Sequence, residues 1–178
     1  MHLSSLENMS RFIANYLTDD NNIRRSVLDF GSKNINGSYK PLFASENWEY
    51  IGMDQESGEN VDLVVKNPHS WLEIPDSSFD IVISGQALEH VEFPWMVFNE
   101  IYRVLKPEGI TCIIAPSSGP EHRYPIDCWR FYPDGMRSLC KFSGLTCVEV
   151  KTEWNSKNYE DGSEIWKDTT LIAKKALK

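Results

Sequence analysis

Two stretches of the chain, Phe79-Asp80-Ile81-Val82-Ile83 and Ile110-Thr111-Cys112-Ile113-Ile114-Ala115, are nearly continuous apolar runs. A strand with one wet face alternates apolar and polar residues, and a strand covered on both faces does not. These two therefore read as central strands of a sheet with helices on both sides. Other short apolar runs alternate with helical patterns, which argues for parallel strands joined by crossovers rather than a sandwich. Strands are expected at 26–30, 50–54, 61–65, 79–84, 110–115, 145–152 and 167–174.

Between them, Met96, Val97, Ile101, Val104 and Leu105 make an apolar stripe at helical spacing, with Pro94 near the first helical position and Lys106-Pro107-Glu108-Gly109 as the stop. A second helix is expected to begin near Pro133, with Asp134 in its positive first turn, and to end before Gly144. Leu6, Met9, Phe12, Ile13 and Tyr16 mark a third, amphipathic one. The 178 residues suit one domain, with an N-terminal helical segment at 1–24 and an α/β core at 25–178. One link is short: only 55–60 separate the second and third strands, whereas a parallel crossover normally takes a dozen residues or more. Either the third strand is short and reached by a bare loop, or its boundary lies elsewhere.

Composition narrows the function classes. Cys112, Cys128, Cys140 and Cys147 form no C-x-x-C pair, the N-terminus lacks the basic and apolar regions of a secretory signal, and no apolar run approaches a membrane span. These features predict a reduced, cytoplasmic protein. A net charge of −8 opposes a nucleic-acid partner. No His, Cys or acid spacing marks a metal site, so none is expected.

The run Val27-Leu28-Asp29-Phe30-Gly31 ends a strand on a glycine, and Asn36-Gly37-Ser38 follows closely. Glycines at such a turn let backbone approach a ligand, and a helix starting beyond them offers free N–H groups to an anionic end. Ser38 is placed to cap that helix, with Pro41 in its first turn. Asp54, at the end of the second strand and about twenty residues past the glycine turn, sits where an acid accepts hydrogen bonds from ribose hydroxyls. Ser84, Gly85 and Gln86 end the fourth strand on the side where open α/β sheets bind ligands.

The series VLDFG, YIGMD, DSSFDIVISGQALEHVEFP and EIYRVLKPEGITCIIAP resembles the class I S-adenosylmethionine-dependent methyltransferases, in particular their small type-11-like branch. The resemblance runs from Val27 to the end of the chain. It implies a single Rossmann-like, doubly wound domain with a mostly parallel seven-stranded sheet whose last strand is antiparallel, and S-adenosyl-L-methionine as cofactor. It places Asp29 and Gly31, with Ser32 and Gly37 nearby, at the methionine end. Asp54 falls at the ribose, Met53 or Gln55 beside the adenosine, and His69 or Trp71 against adenine. The glycine loop departs from the family, since Lys33 and Ile35 stand at later glycine positions. That departure keeps a catalytically silent binding protein as the alternative. A nicotinamide dehydrogenase shares the strand, glycine and acid, but the G-x-G-x-x-G spacing it needs is missing.

The segment from Pro116 to Tyr132 is long, polar and aromatic, and it follows the fifth strand at the expected ligand end. Its composition suits a small-molecule or glycan acceptor, with rings to stack on and Arg123, Asp127 and Arg130 to bond hydroxyls or a phosphate. In the alternative, Asp127 simply neutralises an arginine. Methyl transfer to a hydroxyl gains from a base. His122 is the candidate, with Asp127 as its orienting partner; His90 is either a base or a histidine that shapes its turn.

Overall fold

The computed structural model describes residues 2–17 and 23–177. Seven strands form one sheet: β1 (Arg25–Phe30), β2 (Trp48–Asp54), β3 (Leu63–Val64), β4 (Phe79–Gly85), β5 (Leu105–Pro116), β6 (Thr146–Thr152) and β7 (Asp168–Lys174). Their spatial order is β3-β2-β1-β4-β5-β7-β6, and β7 runs antiparallel to both of its neighbours while the other pairs are parallel. The order reverses at β1, between β2 and β4, and such switch points open a crevice at the carboxyl ends of the strands.

Helices cover both faces. On one, α1 (Leu3–Tyr16) buries Met9 and Phe12 against Val27, Ile81, Ile83, Cys112 and Ile114. On the other, α2 (Pro94–Val104) and α3 (Pro133–Ser143) pack Val97, Phe98, Ile101, Val104, Met136 and Cys140 onto Leu28, Val82 and Ile113. The two continuous apolar runs are explained by this double cover, since alternate residues of β4 and β5 belong to different cores. α2 starts on Pro94 and stops where Leu105 turns extended. α3 ends on Gly144 at φ +87°, whose N–H bonds the Cys140 carbonyl.

Strand boundaries differ from expectation, most of all at β5 and β3. β5 begins at Leu105, directly after α2, and Lys106-Pro107-Glu108-Gly109 forms an irregularity inside the strand: Phe79 pairs with Leu105, and then Ile81 pairs with Ile110. Lys175 closes this bulge by exchanging backbone hydrogen bonds with Gly109 and Glu108. β3 has two residues and is reached by a bare loop. The Asp62 carboxylate accepts the Gly52 N–H at 2.8 Å and anchors that loop to β2. β6 begins at Thr146, one residue later than expected.

The helix expected after the glycine turn is a single 3-10 turn, Lys40–Phe43. Ser38 Oγ does accept the Lys40 N–H at 3.0 Å, and Pro41 lies in the first turn, but the chain must return to Trp48 within a few residues. Tyr39 and Phe43, both buried, anchor it to the α1 core instead. Among the described residues, no α-helix therefore follows the glycine loop before β2. The end of the expected N-terminal segment, 18–22, lies outside the described residues.

Candidate active site

A cleft of about 700 Å³ opens at the carboxyl ends of β1, β2 and β4, within the size range of small-molecule and cofactor sites. Asp29, Gly31, Ser32, Gly37, Asp54, Gln55, His69, Gly85, Gln86, His90 and His122 all line it, so most of the residues picked from sequence meet in one place.

Three of them do not line it. Met53 is fully buried in the core, and only its carbonyl serves the turn, accepting the N–H groups of Gly31 (2.8 Å) and Ser32 (3.1 Å). Alternation along β2 sends its side chain away from the crevice. Ser84 is buried as well, its hydroxyl donating to the Phe30 carbonyl at 2.8 Å and so tying β4 to β1. Asp127 lies behind the cleft wall, where it takes two hydrogen bonds from Arg130, at 2.6 and 2.9 Å, and one from the His122 N–H at 2.8 Å. Trp71 is another core residue, packed on Phe30, which leaves His69 as the ring on the cleft.

At the cofactor end, two glycines have no room for a side chain. Gly31 has φ +76°, and a Cβ there would stand 2.3 Å from the Ala87 Cβ. At Gly85 a Cβ would fall 1.8 Å from the Tyr39 hydroxyl. Gly52 is a third tight position, unmarked by the sequence pattern, where a Cβ would meet the Asn60 carbonyl at 1.9 Å. Asp54 is held by backbone: Oδ1 accepts from Gln55 (2.7 Å) and Glu56 (3.2 Å), and Oδ2 accepts from Lys33 (3.1 Å). Oδ1 is thereby filled, and Oδ2 keeps one lone pair to offer a hydroxyl. Lys33 reaches away to Glu56 at 2.7 Å. Asp29 is buried against the Tyr50 hydroxyl, and burial pushes its carboxyl up to about 7.

At the far end, Gln86 turns with φ +57° and donates to Asp168 (3.0 Å) and Ser5 (3.4 Å), which brings the start of α1 to the cleft wall. His90 Nδ1 lies 2.6 Å from the Ile126 carbonyl, and His122 Nδ1 lies 3.3 Å from Asp127 Oδ2. Facing Nε2 of both rings is Glu89, which sequence reading passed over although it sits within the LEH triplet; burial raises its carboxyl to about 8. Neither Asp127 nor Arg130 is free to hold a ligand. They form an internal ion pair, with Arg130 also facing the Trp166 ring at 5.9 Å. Arg123 and Tyr124 do line the cleft.

Residues 33–113 match the family model described as a methyltransferase domain, of type 11. A sterol 24-C-methyltransferase of Yarrowia lipolytica is 31% identical over 151 residues, covering 79% of this chain and 39% of its own. The chain spans about two-fifths of the length of the first curated relatives it matches. Among solved structures, a SAM-dependent methyltransferase from Archaeoglobus fulgidus superposes with TM-score 0.68 at 20% identity, over 96% of this chain and 95% of that one. The Burkholderia thailandensis 1,6-didemethyltoxoflavin-N1-methyltransferase, which binds S-adenosylhomocysteine, gives 0.71 at 17% identity over 98% and 79%. The sheet order and the sequence match agree: the chain has the fold of S-adenosylmethionine-dependent methyltransferases, and its residues 33–113 match their type-11 domain.

Proposed function

We propose that the protein transfers a methyl group from S-adenosylmethionine to a hydroxyl of a small-molecule or glycan acceptor. The observation that carries this reading is the layout of one cleft, with Asp29, Gly31 and Asp54 at one end and His90 and His122 at the other. The first group suits the cofactor: Asp54 offers an acceptor to a ribose hydroxyl, buried Asp29 offers a carboxylate to the α-ammonium, and the Gly31 turn leaves its backbone bare. His69 and Pro68 supply flat surface toward adenine. When bound, the cofactor supplies a methyl group on a sulfonium, which departs as a neutral thioether.

The protein's own share is alignment, exclusion of water and removal of one proton. His122 takes the hydroxyl proton as the O–CH3 bond forms and the S–CH3 bond breaks. Asp127, fixed by Arg130, faces the opposite ring nitrogen and sets the tautomer. Tyr124, exposed on the rim, and Arg123 suit a hydroxyl-rich acceptor such as a sugar. Lys33 and Ile35, both on the cleft wall where the family usually has glycines, favour the second reading, a binding protein that holds the cofactor without turning it over.

Incubation with S-adenosylmethionine and a panel of hydroxylated small molecules, nucleotide sugars and glycans, read by mass, tests both. A product heavier by one methyl on oxygen supports the proposal. Methylation confined to carbon or nitrogen, or tight cofactor binding with no product across the panel, overturns it.

A further inference from the structure

Glu89 is fully buried, and neither of its carboxylate oxygens has a hydrogen-bond partner among the described residues. Buried carboxylates are normally hydrogen-bonded, paired or bound to an ion. Arg130, the cation nearest in charge terms, is already engaged by Asp127. What faces Glu89 Oε1 is a pair of imidazole nitrogens, His90 Nε2 at 3.7 Å and His122 Nε2 at 4.0 Å. Both distances exceed a hydrogen bond. One ligand atom from each of the three residues can be chosen so that all lie within 4.8 Å of one another.

Both rings have an acceptor behind them. His90 Nδ1 stands 2.6 Å from the Ile126 carbonyl, so Nδ1 carries the proton and the Nε2 lone pair faces Glu89. His122 Nδ1 lies 3.3 Å from Asp127 Oδ2 without a formed hydrogen bond, and its Nε2 likewise faces Glu89. Outer carbonyl or carboxylate partners of this kind are what fix metal-binding histidines in tautomer and direction.

We infer that Glu89, His90 and His122 form a binding site for a divalent first-row metal ion of the zinc class at the floor of the cleft. Two histidines and a carboxylate are a donor set that such ions take while keeping a position open. Two donors each about 2.0–2.1 Å from a tetrahedral ion stand about 3.3 Å apart, so each histidine must draw toward Glu89 by roughly half an ångström on loading. His90 and His122 line the cleft while Glu89 lies behind them, so the open position faces the cleft. There the ion holds an oxygen of the acceptor. That use rests on the methyl-transfer reading; the site itself does not. The ion and the proton compete for His122 Nε2, so the loaded form does not use this ring as a base.

The test is metal binding by tag-free protein stripped with a chelator, using Zn²⁺ in competition with a chromophoric chelator and Co²⁺ followed by absorption. The protein should take up one equivalent of either ion. Glu89→Gln and His122→Gln should weaken the site at least about a hundredfold, and Asp127→Asn about ten- to a hundredfold. Circular dichroism checks the fold of each variant, and His122, a partly exposed position, is the one least apt to disturb it. Asp54→Ala should bind metal as the parent does even where it has lost the cofactor, so failure of the methyl-transfer reading leaves this result standing. Three outcomes overturn the site: no stoichiometric uptake, equal uptake by folded Glu89→Gln and His122→Gln, or a cobalt spectrum with a thiolate band, which would move the ion to a cysteine such as exposed Cys128.

Discussion

Tyr50 on β2 donates its phenolic hydrogen bond to the buried carboxylate of Asp29 on β1, at the cofactor end of the cleft. The hydroxyl favours the ionised acid, but burial outweighs it, and the neighbouring charge of Asp54 adds to the burial; the result is a carboxyl raised from 3.8 to about 7. Tyr50 is itself held far above its usual value by the same burial and by Asp29, so it stays a donor.

A pH dependence of cofactor binding follows. The α-ammonium favours ionised Asp29, so S-adenosylmethionine affinity should strengthen as pH rises from 6 to 8, by roughly tenfold for one linked proton. Stability runs the other way. The folded state keeps this proton longer than the unfolded chain, so the Asp29 contribution is lost as pH rises from about 4 to about 7. Calorimetric titration across pH, with Asp29→Asn alongside, checks both. The variant should lose the affinity slope, and a flat profile in the parent would remove Asp29 from the ammonium site.

Gly31→Ala should destabilise the fold rather than merely exclude a ligand. The left-handed backbone costs a side chain about 1–2 kcal/mol, and crowding against the Ala87 Cβ at 2.3 Å adds about 1–3 kcal/mol. Pairing it with Ala87→Gly should recover the crowding share and leave the backbone share. Denaturant midpoints measure each; a single variant as stable as the parent would contradict the packing described.

Asp127→Asn should cost about 1.5–3 kcal/mol of stability, the scale of charge-assisted hydrogen bonds lost from Arg130. It should also slow turnover by loosening His122, with S-adenosylmethionine affinity unchanged. Denaturation and calorimetry on one preparation separate these effects, and weakened cofactor binding would mean that the pair supports the wrong end of the cleft.

His122→Gln should lower turnover on the true acceptor by roughly a hundredfold, the usual scale for a lost base, with cofactor affinity nearly unchanged. If His90→Gln shows that loss and His122→Gln does not, the base is His90. If neither matters, alignment by 124–132 carries the reaction.

The sheet was legible because burial writes itself along a strand. Val27-Leu28-Asp29-Phe30 and Ile81 to Ile83 are buried on both faces, and the glycines and acids that end the strands mark the crevice. What was hidden depends on direction and length. Met53 and Ser84 occupy the right turns, but pleating points their side chains into the core. The segment after Gly37 has a helix start signal and too little chain to continue, so Tyr39 and Phe43 settle it as one 3-10 turn. Glu89 gave no sign, because the single turn at Leu88–His90 aims it inward and nothing in a three-residue spacing records that. Asp127 and Arg130 are three apart, which permits an ion pair as readily as a ligand site, and the structure pairs them.

Calorimetric titration of S-adenosylmethionine into the parent protein and Asp54→Ala tests the central claim most directly. Asp54 sits at the carboxyl end of β2 on the cleft, held by the N–H groups of Lys33, Gln55 and Glu56 with one lone pair left on Oδ2. Losing the charge-assisted hydrogen bond to the ribose should weaken binding by about 1.5–3 kcal/mol, roughly tenfold to a hundredfold, with the fold retained. The account predicts one cofactor per chain for the parent and that loss in the folded variant. No heat from the parent at high protein concentration, or equal affinity in the two, would contradict it.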